Sequence, residues 1–344
     1  MNPVPLLLGV AVLVVTVGDL IWTTLWVEGG AGPLTTRLTT WTWRAVRAVG
    51  ARRPRVLTLS GPVVLLFGVV TWIVLLWAGW TLIFAGAENT LVDTRDPGPI
   101  SWSERVYFVG YSLFTLGNGD FAPRDGVWQI LTALTTATGM LFITLIVSYV
   151  ISVLDAVTQK RAFASDVSGL GRRGEAIVLT AWDGERFRGL ALPLHSFTAA
   201  VNELTTNHHA YPVLHYFDTD ERRYATVPSV IALDEALTLL RFGVSPDARP
   251  SDALIKSARA SVGNYLDVVT SSFAPTADSA PPTPELDELR AQGVPTVAES
   301  EFSRSLADSA ARRKKLAGLV VARARDWPTG DTDGSDPPRR DDGP

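Results

Sequence analysis

Residues 115–120 carry the oxygen atoms and the glycine spacing that suit a path for dehydrated cations. The segment consists of Thr115, Leu116, Gly117, Asn118, Gly119 and Asp120. Two glycines separated by one residue let consecutive carbonyl groups point the same way, because glycine adopts positive φ at little steric cost. A row of carbonyl oxygens, with a threonine hydroxyl at one end, can replace the water around a cation. The aspartate adds a carboxylate that attracts cations to the other end.

The residues before this segment predict a helix that crosses only half of a membrane. Ser101 and Glu104 have the spacing of a capping box, which favours a helix start. The apolar run 105–114 covers about 15 Å at 1.5 Å per residue, half of a hydrocarbon core of roughly 30 Å. Irregular backbone at that depth is tolerated only where it is buried in protein or lines water. The pattern therefore predicts a re-entrant loop.

Three longer apolar runs predict transmembrane helices at about 4–27, 61–85 and 127–154. Each reaches the roughly 20 residues that a bilayer requires. The first run lacks a basic leader and a clear small-residue cleavage site, which favours a retained span over a signal peptide. The predicted fold class is a mainly α membrane protein. It has three transmembrane helices, one re-entrant pore loop and a mostly helical cytoplasmic C-terminal region.

The distribution of arginines predicts the orientation. The loop after the first span has one acid, Glu28, and six arginines: Arg37, Arg44, Arg47, Arg52, Arg53 and Arg55. The loop after the second span is acidic, with Arg95 as its basic residue. The positive-inside rule therefore places the first loop and the C-terminal region in the cytoplasm and the N-terminus outside. Apolar residues at helical spacing make the first loop either an amphipathic helix on the inner leaflet or a plain connector.

Residues 115–120 resemble the filter of potassium channels, whose commonest form is Thr-Val-Gly-Tyr-Gly-Asp. Thr115, Gly117, Gly119 and Asp120 match, and Leu116 is a conservative change. With its flanking helices, the chain resembles a bacterial potassium-channel family protein that has a two-helix pore module and one extra N-terminal transmembrane helix.

The resemblance implies how the segment works. The carbonyls of residues 115–119 would bind potassium, Asp120 would lie at the extracellular pore mouth, and four copies in a lipid bilayer would form a homotetramer. It implies no enzyme activity, no cofactor other than the permeant ion and no structural metal.

Asn118 departs from the family pattern, because an aromatic residue there braces the filter. Tyr107 and Phe108 occupy the pore-helix positions of the usual brace, and the asparagine amide can hydrogen-bond behind the filter instead. A potassium-selective channel and a weakly selective sodium/potassium channel therefore both remain open. An alternative of another class is a membrane-anchored signalling or scaffold protein. Gly139 lies 22 residues after Gly117, at the spacing of the family's hinge glycine, and either bends the inner helix or packs closely.

Asp19 is an acid within the first span, where an unpaired charge is costly. It either pairs with an arginine such as Arg44, lies near the inner interface, or takes part in gating. The absence of cysteine excludes disulfides, thiolate metal sites and cysteine catalysis. A net charge of −4 gives no support to a nucleic-acid partner.

The C-terminal region gives weaker signals. Gly169, Gly171 and Gly174 match a dinucleotide fingerprint, but no convincing strand precedes them, so nucleotide binding is not predicted. His208, His209 and His215 lack the spacing of a metal site. Ordinary placement is favoured over proton sensing, and a cytoplasmic regulator cannot be named. The predicted parts are an N-terminal transmembrane helix 1–30, a basic amphipathic linker 31–60, a pore domain 61–157, a helical cytoplasmic domain 158–273, a linker 274–298, a C-terminal helix 299–326 and a disordered tail 327–344.

Overall fold

The structure, a computed structural model, describes residues 3–26, 30–50, 59–95, 98–219, 221–272 and 276–322. Helices dominate it, which confirms the predicted fold class. The predicted tail 327–344 and residues 27–29 and 51–58 around the first loop lie outside the described residues.

Three helices are long and apolar enough to cross a membrane: α1 (Pro3–Leu25), α3 (Ser60–Ala85) and α5 (Val127–Leu170). They match the three predicted spans, but α5 continues sixteen residues beyond the predicted end at Leu154. Apolar residues recur there at helical spacing, and Phe163 and Val167 are buried. The 44 residues of α5 extend about 66 Å, more than a bilayer needs.

Helix α2 (Pro33–Gly50) follows α1, as the amphipathic pattern of the first loop predicts. Its N-terminus is bound by Asp19, which is only 3% exposed. The carboxylate accepts hydrogen bonds from the Leu34 amide at 2.8 Å, the Thr35 amide at 3.1 Å and Trp72 Nε1 at 2.9 Å. Free amides at a helix N-terminus favour a negative charge. These groups, rather than the guanidinium suggested from the sequence, stabilise the buried carboxylate.

Short elements connect α3 to α5: β1 (Leu91–Asp93), α4 (Trp102–Leu113) and β2 (Phe121–Pro123). The predicted capping box of α4 is present, with both reciprocal hydrogen bonds between Ser101 and Glu104. The twelve residues of α4 extend about 18 Å, roughly half a membrane. The two strands pair antiparallel, with Leu91 opposite Pro123 and Asp93 opposite Phe121. This small sheet was not predicted.

The chain divides into two compact units, residues 1–158 with 206–220, and residues 159–205 with 221–344. This division differs from the predicted single domain 158–273, because the segment 206–220, here called the return segment, packs in the first unit. Ser60 Oγ donates to Tyr216 O at 2.6 Å. A Cβ on Gly61 would lie 2.4 Å from the Phe217 ring. Tyr211 stacks edge-on against Tyr149 of α5, with ring centroids 5.9 Å apart.

The second unit is built from helices around one apolar cluster. They are α6 (Gly174–Ala181), α7 (Ala191–Ala210, which continues into the return segment), α8 (Thr226–Thr238), α9 (Asp252–Ser272), α10 (Asp287–Ala291), α11 (Glu299–Asp308) and α12 (Ala310–Ala322). Residue 309 interrupts the predicted C-terminal helix. The predicted linker 274–298 differs most, because Leu286, Leu289, Val294 and Val297 are buried in the cluster.

This unit contains the glycine fingerprint seen in the sequence and a buried ion pair. Gly171 and Gly174 lie between the end of α5 and the start of α6, so the fingerprint joins two helices and lacks the strand that a dinucleotide site needs. Asp234 is 2% exposed and pairs with Arg312, whose Nε is 2.9 Å from Oδ1. Burial lowers the pKa of neighbouring Arg259, and the Asp234 charge opposes that shift.

Candidate functional site

Aromatic side chains fix helix α4 against the outer helix α3. Phe108 is buried and packs edge-on against Phe84, with ring centroids 5.1 Å apart. Trp77 Nε1 donates to Val106 O at 2.9 Å. A Cβ on Gly110 would lie 2.8 Å from the Trp77 ring, so the indole and the backbone of α4 are in close contact. The predicted support residue Phe108 thus contacts α3, and its role in supporting residues 115–120 stays a prediction.

The inner helix α5 holds the other side of α4, where that helix ends. Thr136 Oγ1 donates to Ser112 O at 3.0 Å. A Cβ on Gly139 would lie only 2.0 Å from Leu113 O, so a side chain cannot fit between the two backbones. Helix α5 continues through Gly139 without interruption. This geometry supports the close-packing interpretation of Gly139, and its role as a hinge stays a prediction.

The backbone that follows α4 alternates in handedness. φ is +57° at Thr115, +60° at Gly117 and +78° at Gly119, and among the described non-glycine residues Thr115 alone has positive φ. The amides of Leu116 and Gly117 donate to Tyr111 O, at 2.8 and 3.4 Å. A trans peptide directs its carbonyl opposite to its amide. The carbonyls of Thr115 and Leu116 therefore point away from α4, toward the open side of the chain.

Asn118, Tyr107 and Asp120 form a cluster of hydrogen-bonded side chains. Asn118 Nδ2 donates to the Tyr107 hydroxyl and, at 3.0 Å, to Asp120 Oδ2. The Tyr107 hydroxyl donates to the same carboxylate oxygen at 3.2 Å. Tyr111, one helical turn after Tyr107, was missed from the sequence. Its carbonyl receives the filter amides, and its hydroxyl donates to Phe121 O.

The outer end of the segment is bound by residues that directly follow β1. Thr94 N donates to Asp120 O at 3.0 Å, and Thr94 Oγ1 lies 3.1 Å from Gly119 O. Arg95 forms an ion pair with the Asp120 carboxylate. Sequence reasoning used Arg95 only for orientation and gave Thr94 no role. A prediction of strand pairing between 91–93 and 121–123 would have placed both beside the filter.

Residues 114–119 and much of the surface of α5 are exposed. Leu116 is 69% exposed, and Phe114 is 42% exposed. Large apolar side chains along α5 are exposed as well: Ile130, Leu134, Met140, Leu141, Val147, Ile151 and Leu154. Exposed apolar side chains in this number are typical of contact with lipid or with another protein.

The oxygens at this site are backbone carbonyls and the carboxylate of Asp120. Across the described residues, His, Asp and Glu side chains form no group of three that could hold a metal ion. His208 is buried near the end of α7 and His209 is exposed. Carbonyl oxygens with a carboxylate beside them are ligands that suit hard cations.

Comparison with known proteins agrees with this geometry. A family model described as ion channel matches residues 64–156, which span most of α3, all of α4, residues 115–120 and the first 30 residues of α5. The membrane protein YdjJ of Bacillus subtilis (strain 168) is 40% identical over 328 residues, covering 95% of this chain and 96% of that protein. No solved structure matches the chain.

Proposed function

Because this chain belongs to the same family as the Bacillus subtilis membrane protein and carries an ion channel domain over residues 64–156, we propose that it is a homotetrameric channel for monovalent cations that prefers potassium. Residues 115–119 form the filter, and Asp120 lies at its outer mouth. The observation that carries the proposal is the alternating backbone of this segment, whose amides bond to Tyr111 O.

Potassium preference follows from a filter of fixed width. Carbonyls of residues 115–118 replace the water of a passing ion, and Gly119 contributes the outermost carbonyl. Asn118 holds the width through Tyr107 and Asp120, where the family uses an aromatic ring. A weakly selective sodium/potassium channel is the nearest alternative, because a hydrogen-bonded amide fills less space behind the filter than an aromatic ring.

The homotetramer follows from the open side of the chain. One filter strand cannot surround an axis, and closed rotational symmetry supplies the missing walls. The exposed side chains of Leu116 and of α5 would then contact neighbouring copies or face the central cavity. The arginines of the first loop orient the protein with its N-terminus outside and its C-terminal region in the cytoplasm.

The proposal is tested by flux through the full-length chain reconstituted in liposomes. We expect potassium flux to exceed sodium flux, and the reversal potential to follow the potassium gradient. Gly117→Ala should abolish this preference, because a Cβ at φ +60° costs about 1–2 kcal/mol in each subunit. Gly293→Ala is the matched control, since Gly293 has φ +78° in the second unit with nothing near its Cβ position.

The outcomes separate the alternatives. A reversal potential near zero in opposed potassium and sodium gradients would show that the channel is weakly selective. A monomer that passes neither ion would overturn the channel and favour a membrane-anchored signalling or scaffold protein. Loss of flux in both glycine variants would show that the Gly117 effect comes from general instability.

A further inference from the structure

The outer end of the filter is contacted by the residues that follow β1, in addition to its contacts with the pore helix. The hydroxyl of Thr94 lies 3.1 Å from Gly119 O and 2.9 Å from Asp120 O. The amide of the same residue donates to Asp120 O at 3.0 Å. One residue therefore binds the last filter carbonyl and the carbonyl that follows it.

The position of Thr94 is set by strand pairing. The antiparallel ladder pairs Asp93 with Phe121, and the next pair in that register is Thr94 with Asp120. At the opposite end of the ladder, Arg124 N donates to Thr90 O at 3.0 Å. The ladder thus continues directly into the filter, and its backbone hydrogen bonds fix where the threonine hydroxyl points.

We propose that Thr94 is a positioning residue for cation selection, which holds the outer end of the filter through Gly119 and Asp120. This inference rests on the proposed channel function. A carbonyl oxygen has two lone pairs, so Gly119 O can accept the Thr94 hydroxyl and still face an ion. The bond limits how far that carbonyl can rotate, and it therefore limits the width of the outermost ion site.

Arg95 acts on the same outer end through its charge. Its guanidinium pairs with Asp120, whose side chain is 22% exposed, while the side chain of Arg95 is 68% exposed. Exposed ion pairs hold structure weakly and are screened by salt. The main effect of Arg95 is to neutralise a carboxylate that would otherwise concentrate cations at the pore mouth.

The test compares Thr94→Val with Thr94→Ser in the reconstituted full-length chain. Valine keeps the shape and the backbone bond but removes the hydroxyl. We expect it to lower the potassium-to-sodium permeability ratio about fivefold, the factor that one ordinary hydrogen bond contributes to an equilibrium. Serine should restore the ratio. Thr71→Val is the control, because the exposed Thr71 hydroxyl bonds only within its own helix, to Phe67 O at 2.7 Å.

A second readout does not depend on conduction. Amide hydrogen exchange in a peptide covering 115–124 should become faster in Thr94→Val and stay unchanged in Thr71→Val. For Arg95→Gln we expect higher conductance at low salt that disappears at high salt, with an unchanged permeability ratio. Arg124→Gln removes the same charge from an exposed residue next to β2 and should raise the conductance less.

The negative results of these measurements can be told apart. If the unmodified chain passes no cations, the proposed function fails, and with it the selective role of Thr94. If the chain conducts selectively and Thr94→Val keeps both the permeability ratio and the exchange protection, the role of Thr94 is overturned and the channel stands. A fall in the ratio that serine does not restore would also overturn it, since the hydroxyl would then not be the cause.

Discussion

Replacing Gly139 with alanine distinguishes a packing role from a hinge role by the sign of its effect on stability. The added Cβ would lie 2.0 Å from Leu113 O and 2.9 Å from the carbonyl carbon. Favourable contact begins near 3.5 Å, so the inner helix must move about 1.5 Å away from α4. Overpacking of this kind costs about 3 kcal/mol at the upper end of its range. Alanine regains about 1 kcal/mol of helix propensity, which leaves a net loss of about 2 kcal/mol.

The measurement is the melting temperature of the purified protein in detergent. A loss of about 2 kcal/mol corresponds to a decrease of roughly 4–8 °C. Gly68→Ala is the matched control, since Gly68 lies inside a span and nothing is within 4 Å of its Cβ position. There the propensity gain of about 1 kcal/mol acts alone, and the melting temperature should rise slightly. A hinge that makes no close contact would give Gly139→Ala the same small increase, and that result would refute the packing argument.

Three other substitutions probe separate contacts. Tyr107→Phe removes the hydroxyl that accepts a hydrogen bond from the side-chain amide of Asn118. It should lower the potassium-to-sodium permeability ratio about fivefold. An unchanged reversal potential would contradict a bracing role for this hydroxyl. Asp19→Ala leaves two amides, a hydroxyl and an indole without their acceptor, so it should lower the melting temperature by an amount equivalent to about 3 kcal/mol, and a shift below about one degree would count against it. Arg312→Ala removes the hydrogen-bonded partner of the buried Asp234 and leaves the charge of Arg259 nearby, so it should destabilise the second unit by about 3 kcal/mol, read from faster limited proteolysis within 221–322. Lys315→Ala, on the same helix, breaks an exposed ion pair with Asp267 and is the control, and equal proteolysis of the two variants would refute the argument from burial.

The membrane elements could be predicted because their signals are local. The lengths of three apolar runs, the capping box at Ser101 and the paired glycines of the filter each depend on neighbouring residues. The predicted span ends at about residue 154, whereas helix α5 continues to Leu170. A hydropathy pattern detects the apolar membrane segment and not the helix beyond it. Buried positions such as Phe163 and Val167 continue the helix at amphipathic spacing.

The remaining features depend on contacts between distant residues. Strand β1 is three residues long, too short for its alternation to be recognised, and only its pairing with β2 makes it a strand. The predicted linker 274–298 has the composition of a loop, yet Leu286 and Leu289 anchor it in an apolar cluster. At the site, the sequence indicated the asparagine amide as a brace. It gave no reason to place Thr94 beside Gly119.

The return segment makes the first unit discontinuous along the chain, which constrains how the protein is synthesised. Tyr216 and Phe217 contact Ser60 and Gly61 at the start of the outer helix. These contacts cannot form until the ribosome has also made residues 159–205, which belong to the other unit. Packing at the start of α3 is therefore completed only after all of α5 has been made. A gene cut after α5 would encode α1, α3, α5 and residues 115–120 but would omit part of their packing.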